Sequence, residues 1–171
     1  DLVTYVFRAL GIPGGCDKML MRGDKNVAHY WNFVVDGEDS TYFASIGQSS
    51  KQFAKADTYW DPKGKVYRET FSLNRTMRDA CGRDTADVPP VFREPLMQDV
   101  TAAYAGRINR FLRIPADSLV LVPREGETVY LCLSTRGTWV PVGYGCFEGD
   151  TVRIDNVQGD VVFRLVVCRR G

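Results

Sequence analysis

The chain has 171 residues, 44% of them apolar and 25% charged, a composition that suits one ordinary globular domain or two small ones. Its 22 basic and 21 acidic residues leave a net charge of +1. This near-balance argues against a nucleic-acid-binding role, which usually leaves a clustered basic face. No apolar run approaches the roughly 20 residues that a membrane-spanning helix needs, so no transmembrane segment is predicted.

An amphipathic helix is predicted at the start of the chain, because apolar side chains recur at helical spacing over residues 2–10. Gly11 fits a C-terminal cap, and Pro13 prevents the helix from continuing. Residues 1–5 are typical of the interior of a helix. We therefore expect the chain to be a fragment of a longer protein.

The next elements are predicted to be strands. Gly14 and Gly15 favour a loose turn, and strands are predicted over residues 18–21, 26–36, 41–44 and 65–73. The composition of residues 36–39 favours a hairpin turn. These elements predict an α+β unit over residues 1–88, with one helix packed on an antiparallel sheet.

A proline-rich connector follows, with Pro89, Pro90 and Pro95 close together. Proline fixes φ and donates no backbone hydrogen bond, so this segment is predicted to be extended. A domain boundary is placed here, between residues 1–88 and residues 89–171.

The second half alternates short apolar runs with glycine-bearing turns. Strands without intervening helices predict an all-β sandwich, and the runs cover residues 118–122, 128–134, 138–142, 151–154 and 161–168. Two roles are open for Trp139, Tyr144 and Phe147: a sugar-stacking face on the sandwich, or part of its core.

The five cysteines favour buried thiols over a disulfide framework or a metal site. Their number is odd, no CxxC motif is present, and their spacings match no metal-ligand pattern. Cys132 and Cys168 lie in apolar runs. Cys16 follows the Gly-Ile-Pro turn instead of opening a helix, which disfavours a nucleophilic role. We expect no metal and no cofactor.

The only histidine, His29, lies in the string HYWN at residues 29–32, and the string RALGIP precedes it at residues 8–13. This pair of motifs resembles the transglutaminase-like superfamily, which has a papain-like core. In that family a helix begins with a nucleophilic Cys and ends at a Gly-Ile-Pro turn. The following strand carries the base His, and a later strand carries an Asp that orients the imidazole.

The resemblance implies that His29 is the base and that Trp31 packs beside it. The nucleophile would precede Asp1, because the first helix contains no cysteine. The orienting residue stays open, since the return strand has no carboxylate and the remaining choices are Asp39, Asp61 and Gln48. A lone histidine and a tryptophan on an apolar strand are also typical of core packing.

Strings further along, such as KVYRETF at residues 65–71, are similar to one branch of this superfamily. That branch contains extracytoplasmic, often lipoprotein, members from Bacteroides-type bacteria that end in a β-sandwich. The resemblance implies a location in the periplasm or at the cell surface and a peptide, protein or cell-wall glycan as substrate. Two functions are open: Cys-His-Asp acyl transfer or amide hydrolysis, inactive in this fragment, or a non-catalytic scaffold that binds a glycan or protein.

Overall fold

The computed structural model describes residues 2–24, 26–36, 40–44, 63–74, 88–93, 96–104, 108–125, 127–159 and 161–167. In these ranges one α-helix, α1 (Leu2–Ala9), precedes ten strands that all pair antiparallel. The strands are β1 (Gly14–Met19), β2 (His29–Asp36), β3 (Ser40–Ala44), β4 (Tyr67–Glu69), β5 (Met97–Asp99), β6 (Ile108–Pro115), β7 (Thr128–Thr135), β8 (Thr138–Glu148), β9 (Thr151–Gln158) and β10 (Arg164–Val167).

The first sheet has the order β3-β2-β1-β4-β5, and α1 packs on one of its faces. The amide of Asn32 in β2 donates to the Thr4 hydroxyl of α1 at 2.8 Å, which identifies the face that the helix covers. Gly11 follows α1 at a φ of 69°, in the left-handed region that glycine adopts easily. The predicted helix, its capping glycine and its antiparallel sheet are confirmed.

The prediction that Gly14 and Gly15 form a loose turn is wrong, because both residues open strand β1. A Cβ atom at Gly14 would lie 2.4 Å from the carbonyl oxygen of Phe33, and one at Gly15 would lie 3.0 Å from the Phe33 ring. The two glycines therefore allow β1 to approach β2 closely.

The second sheet has the order β10-β7-β8-β9-β6. All five strands contribute apolar side chains to one cluster, which includes Val129, Leu131, Val152 and Ile154. A bulge between Leu131 and Cys132 shifts the register of β7 against β8. The predicted β-rich second half is confirmed.

The strand predicted over residues 118–122 is wrong. A 3-10 helix, Ala116–Ser118, and an irregular segment occupy this part of the chain, and the preceding strand β6 was not predicted. The described side chains of β6 alternate between exposed arginine or phenylalanine and half-buried Leu112 and Ile114, which is the pattern of a half-buried strand.

The two sheets share a core. Strand β5 lies beyond the predicted boundary at residue 88 yet pairs with β4 in the first sheet. Tyr67 and Met97 pack in one buried cluster with Phe92, Tyr130 and Cys132, which joins both sheets. The division into domains 1–88 and 89–171 stays a prediction.

Candidate functional site

A buried polar network lies on the face of the first sheet that is opposite α1. Asp17 of β1 is fully buried, and both of its carboxylate oxygens accept from Arg68 of β4 at 2.8 Å. The Tyr104 hydroxyl donates to the same carboxylate, and the indole nitrogen of Trp31 donates to that hydroxyl at 2.8 Å. Four side chains from separate parts of the chain thus form one connected network.

The protonation states of this network are set by burial and by mutual charge. Burial disfavours the Arg68 charge, but the hydrogen bonds and the negative charge of Asp17 outweigh burial and raise the pKa of Arg68. The guanidinium carbon also lies 3.6 Å from the centroid of the Phe33 ring. Burial, followed by the charge of Asp17, raises the pKa of Tyr104 far above its ordinary value, so this phenol acts as a proton donor in a hydrogen bond and not as a base.

His29 lies on the same face of the sheet as this network. It is the first residue of β2, it is exposed, and its ring centroid lies 5.7 Å from that of Trp31. Side chains alternate between the two faces of a strand, so His29 and Trp31 share one face while Asn32, which contacts α1, belongs to the other. The structure therefore brings His29 and Trp31 together but places α1 across the sheet from His29.

The residues that were predicted to orient His29, namely Asp39, Asp61 and Gln48, lie outside the described residues. Asp17 shares the His29 face, but Arg68 and Tyr104 occupy its oxygens.

Cys16 lies on the α1 face, in a cleft of about 570 Å³ between α1, β1 and β4. Burial, followed by the negative charges of Glu69 and Asp17, raises the pKa of the Cys16 thiol above its usual value. A nucleophilic cysteine needs the opposite shift. The geometry and electrostatics agree with the sequence in disfavouring a catalytic role for Cys16.

A second cleft, of about 490 Å³, lies where the two sheets meet. Lys65 lines this cleft and is buried. Its ammonium group is paired with Asp99 of the first sheet. The same ammonium donates to the carbonyl oxygens of Asp155 at 2.8 Å and Asn156 at 3.2 Å in β9. Asn156 has a φ of 51°. A lysine has three N–H donors, and Lys65 uses all three to hold the sheets together.

The aromatic residues Trp139, Tyr144 and Phe147 do not share a surface. Phe147 belongs to the core of the second sheet. Tyr144 packs edge-on against Phe92, with ring centroids 5.3 Å apart, in the core between the sheets. Trp139 is 39% exposed, with the Arg164 guanidinium 5.2 Å from its ring centroid. The core role is therefore the one that the structure supports for Tyr144 and Phe147.

The described residues show neither a metal centre nor a membrane-spanning helix. No group of three or more His, Cys, Asp or Glu side chains in these ranges could hold a metal ion. No helix found there is long and apolar enough to cross a membrane.

Comparison with known proteins returned no matching family model, curated protein or solved structure.

The buried network of Asp17, Arg68 and Tyr104 was missed at the level of sequence. One signal was present: Arg68 is a charged residue inside the strand predicted over residues 65–73, and the oppositely charged Asp17 directly precedes the strand predicted over residues 18–21. Charged residues are rarely buried unless they are paired, so such residues predict a buried pair once their strands are known to be neighbours.

Proposed function

We propose that this chain is a non-catalytic binding module that recognises a glycan or a protein at the cell surface. The observation that carries the proposal is that His29 and Cys16 belong to opposite faces of the first sheet. The buried carboxylate on the His29 face, Asp17, is held by Arg68 and Tyr104. Nucleophilic acyl transfer needs a thiolate and an imidazole within hydrogen-bond reach of each other, and the sheet separates Cys16 from His29.

The cleft between α1, β1 and β4 favours a binding function, because exposed side chains line it and the core between the two sheets supports it. Tyr5 is 64% exposed, Phe71 is 78% exposed and Leu96 is 41% exposed, and all three line the cleft that contains Cys16. Below them, Tyr67 and Met97 belong to the core that both sheets share. Exposed apolar groups next to a concave polar surface are typical of recognition sites. The location at the cell surface rests on the resemblance to the extracytoplasmic branch.

The test is a binding measurement on the whole chain. We expect the protein to bind at least one member of a glycan array or to sediment with an insoluble bacterial cell-wall preparation. A His29→Gln variant is expected to bind equally well, because His29 lies on the face of the sheet opposite the cleft between α1, β1 and β4 and performs no chemistry in this proposal. Absence of binding to every glycan, cell-wall fraction and surface-protein extract would contradict it.

A second candidate function is acyl transfer or amide hydrolysis of the transglutaminase-like type. The chain order favours it: α1 ends at the Gly-Ile-Pro turn, β1 follows, and the neighbouring strand β2 opens with His29. This candidate depends on a cysteine that precedes Asp1, which stays a prediction.

The two candidates are separated by an activity assay on the full-length gene product. Ammonia release from a glutamine-containing peptide, or incorporation of a primary amine into it, would favour the enzyme. That activity must disappear in His29→Gln and persist in Tyr30→Phe, a matched change at the next residue. Without such activity, the binding module stands.

A further inference from the structure

The cleft between α1, β1 and β4 combines one arginine with two exposed aromatic rings. The guanidinium carbon of Arg8 lies 4.6 Å from the centroid of the Phe71 ring. Tyr5 lies three residues before Arg8 on the same side of α1, and it is 64% exposed. Together with Cys16, these side chains line the cleft.

Arg8 is an available cation in this cleft. The other nearby cation, Lys18, is paired with Glu69 at 2.9 Å. In the part of the chain that the structure describes, Arg8 has no ion pair with a carboxylate, and its guanidinium carbon lies over the Phe71 ring. The N–H donors of a guanidinium form a planar fork that can hold a carboxylate in a two-point contact.

The remaining lining groups suit a ligand with both hydroxyl groups and a C–H face. Glu69 and Lys18 offer an acceptor and a donor, and the hydroxyl oxygen of Thr70, whose proton is donated to the Ser72 carbonyl, is a further acceptor in the cleft. Tyr5 and Phe71 offer two ring faces on which an apolar face of a sugar ring can stack. A carboxylate, several hydroxyls and an apolar ring face occur together in a uronic acid.

We propose that this cleft binds an acidic glycan, with a uronic acid carboxylate on Arg8 and sugar rings against Tyr5 and Phe71. The inference rests on the proposed binding function and assigns it a ligand class and a site. An acidic peptide would also supply a carboxylate, but it lacks the hydroxyl-bearing ring that the rest of the cleft suits.

The experiment is a calorimetric titration of the whole chain with trigalacturonic acid, compared with neutral maltotriose and with a triglutamate peptide. The variants are Tyr5→Ala and Arg8→Gln. Their matched controls are Phe111→Ala and Arg113→Gln, which alter an exposed aromatic ring with an arginine 5.4 Å from its centroid on the second sheet.

We expect trigalacturonic acid to bind, with affinity lowered on the order of tenfold or more in Arg8→Gln because a charge-assisted contact is lost. Tyr5→Ala should weaken binding as well, and both control variants should match the unaltered chain. Equal binding by all variants would overturn the assignment of the cleft while leaving the binding module in place. Equal or tighter binding of maltotriose or triglutamate would overturn the acidic-glycan class.

No binding of trigalacturonic acid would also overturn this inference. The glycan array and the cell-wall sedimentation then decide the broader proposal separately, because they include ligands that contain no uronic acid.

Discussion

The buried pair of Asp17 and Arg68 is expected to behave very differently from an exposed pair of the same chemistry. Replacing Asp17 with Asn leaves a half-buried guanidinium without its counter-charge, and replacing Arg68 with Met leaves a fully buried carboxylate. Breaking a buried ion pair on one side costs about 3–5 kcal/mol. Natural domains have total unfolding free energies of about 5–15 kcal/mol, so either single variant should lose a large part of its stability.

The double variant Asp17→Asn, Arg68→Met removes both charges at once. Its cost should not exceed that of one single variant, since neither change then leaves an unpaired buried charge. The resulting coupling free energy is about 3 kcal/mol or more, at or beyond the upper end of values seen for residues in contact. The Tyr104 hydroxyl still has an acceptor in the amide oxygen that Asp17→Asn introduces, so it should add little to the difference.

Arg153 and Asp155 of β9 provide the matched control. Their side chains are 53% and 57% exposed, and their nitrogen and oxygen atoms lie 2.9 Å apart. Exposed ion pairs contribute about 1 kcal/mol or less. The same cycle, Arg153→Met and Asp155→Asn, should therefore give a coupling below about 1 kcal/mol.

The measurement is urea-induced unfolding followed by far-ultraviolet circular dichroism for both cycles. A coupling between Asp17 and Arg68 no larger than the one between Arg153 and Asp155 would refute the reasoning. It would mean that the buried network is solvated or rearranged in solution.

Three further results are expected. The raised pKa of Cys16 should make its alkylation by iodoacetamide slower at neutral pH than that of glutathione. The alkylation rate should rise about tenfold per pH unit up to the pKa of Cys16. Peptide mass spectrometry measures this rate, and a rate equal to that of glutathione would contradict the expectation. Burial raises the pKa of Tyr67 and Tyr104, so these two phenols keep their protons at a pH near 10, where the same phenols ionise in the unfolded chain. Their contribution to stability should be fully present below about pH 10, and above it the unfolding free energy should fall by up to about 1.4 kcal/mol per pH unit for each phenol. Urea midpoints that stay constant from about pH 9 to about pH 11.5 would count against this. Gly145→Ala would place a Cβ 2.1 Å from a carbonyl oxygen of β9 and should lower the unfolding free energy by about 3 kcal/mol. Gly149 has a φ of 64° and its Cβ would meet no atom within 4 Å, so Gly149→Asn should lower it by less than about 1 kcal/mol. Equal melting temperatures for the two variants would refute the steric argument.

Local patterns in the sequence predicted local structure well. The helical spacing and the Gly11 cap predicted α1 to within one residue at its C-terminal end. Aromatic and β-branched content predicted β2, and a short apolar run between turn residues predicted β7. These features depend on neighbouring residues alone, so the sequence carries them directly.

The features that depend on pairing could not be predicted in this way. Whether His29 faces α1 depends on which face of β2 the helix covers, and a shift of one residue reverses that face. Asp17 and Arg68 are 51 residues apart, and their ion pair exists only because β1 and β4 are neighbours. Gly14 and Gly15 have the composition of a turn, and only the close approach of Phe33 explains their place in a strand.

The aromatic stack between the sheets has a consequence for how such a protein can evolve. Phe92 lies parallel to Tyr130 at a centroid distance of 6.0 Å and also touches Tyr67 of β4. Recombination that exchanged only one half of the gene would combine aromatic side chains from two different proteins in this stack, and their packing would not be complementary. Substitutions on either side of this stack should therefore be inherited in matched sets, and the two halves should diverge together.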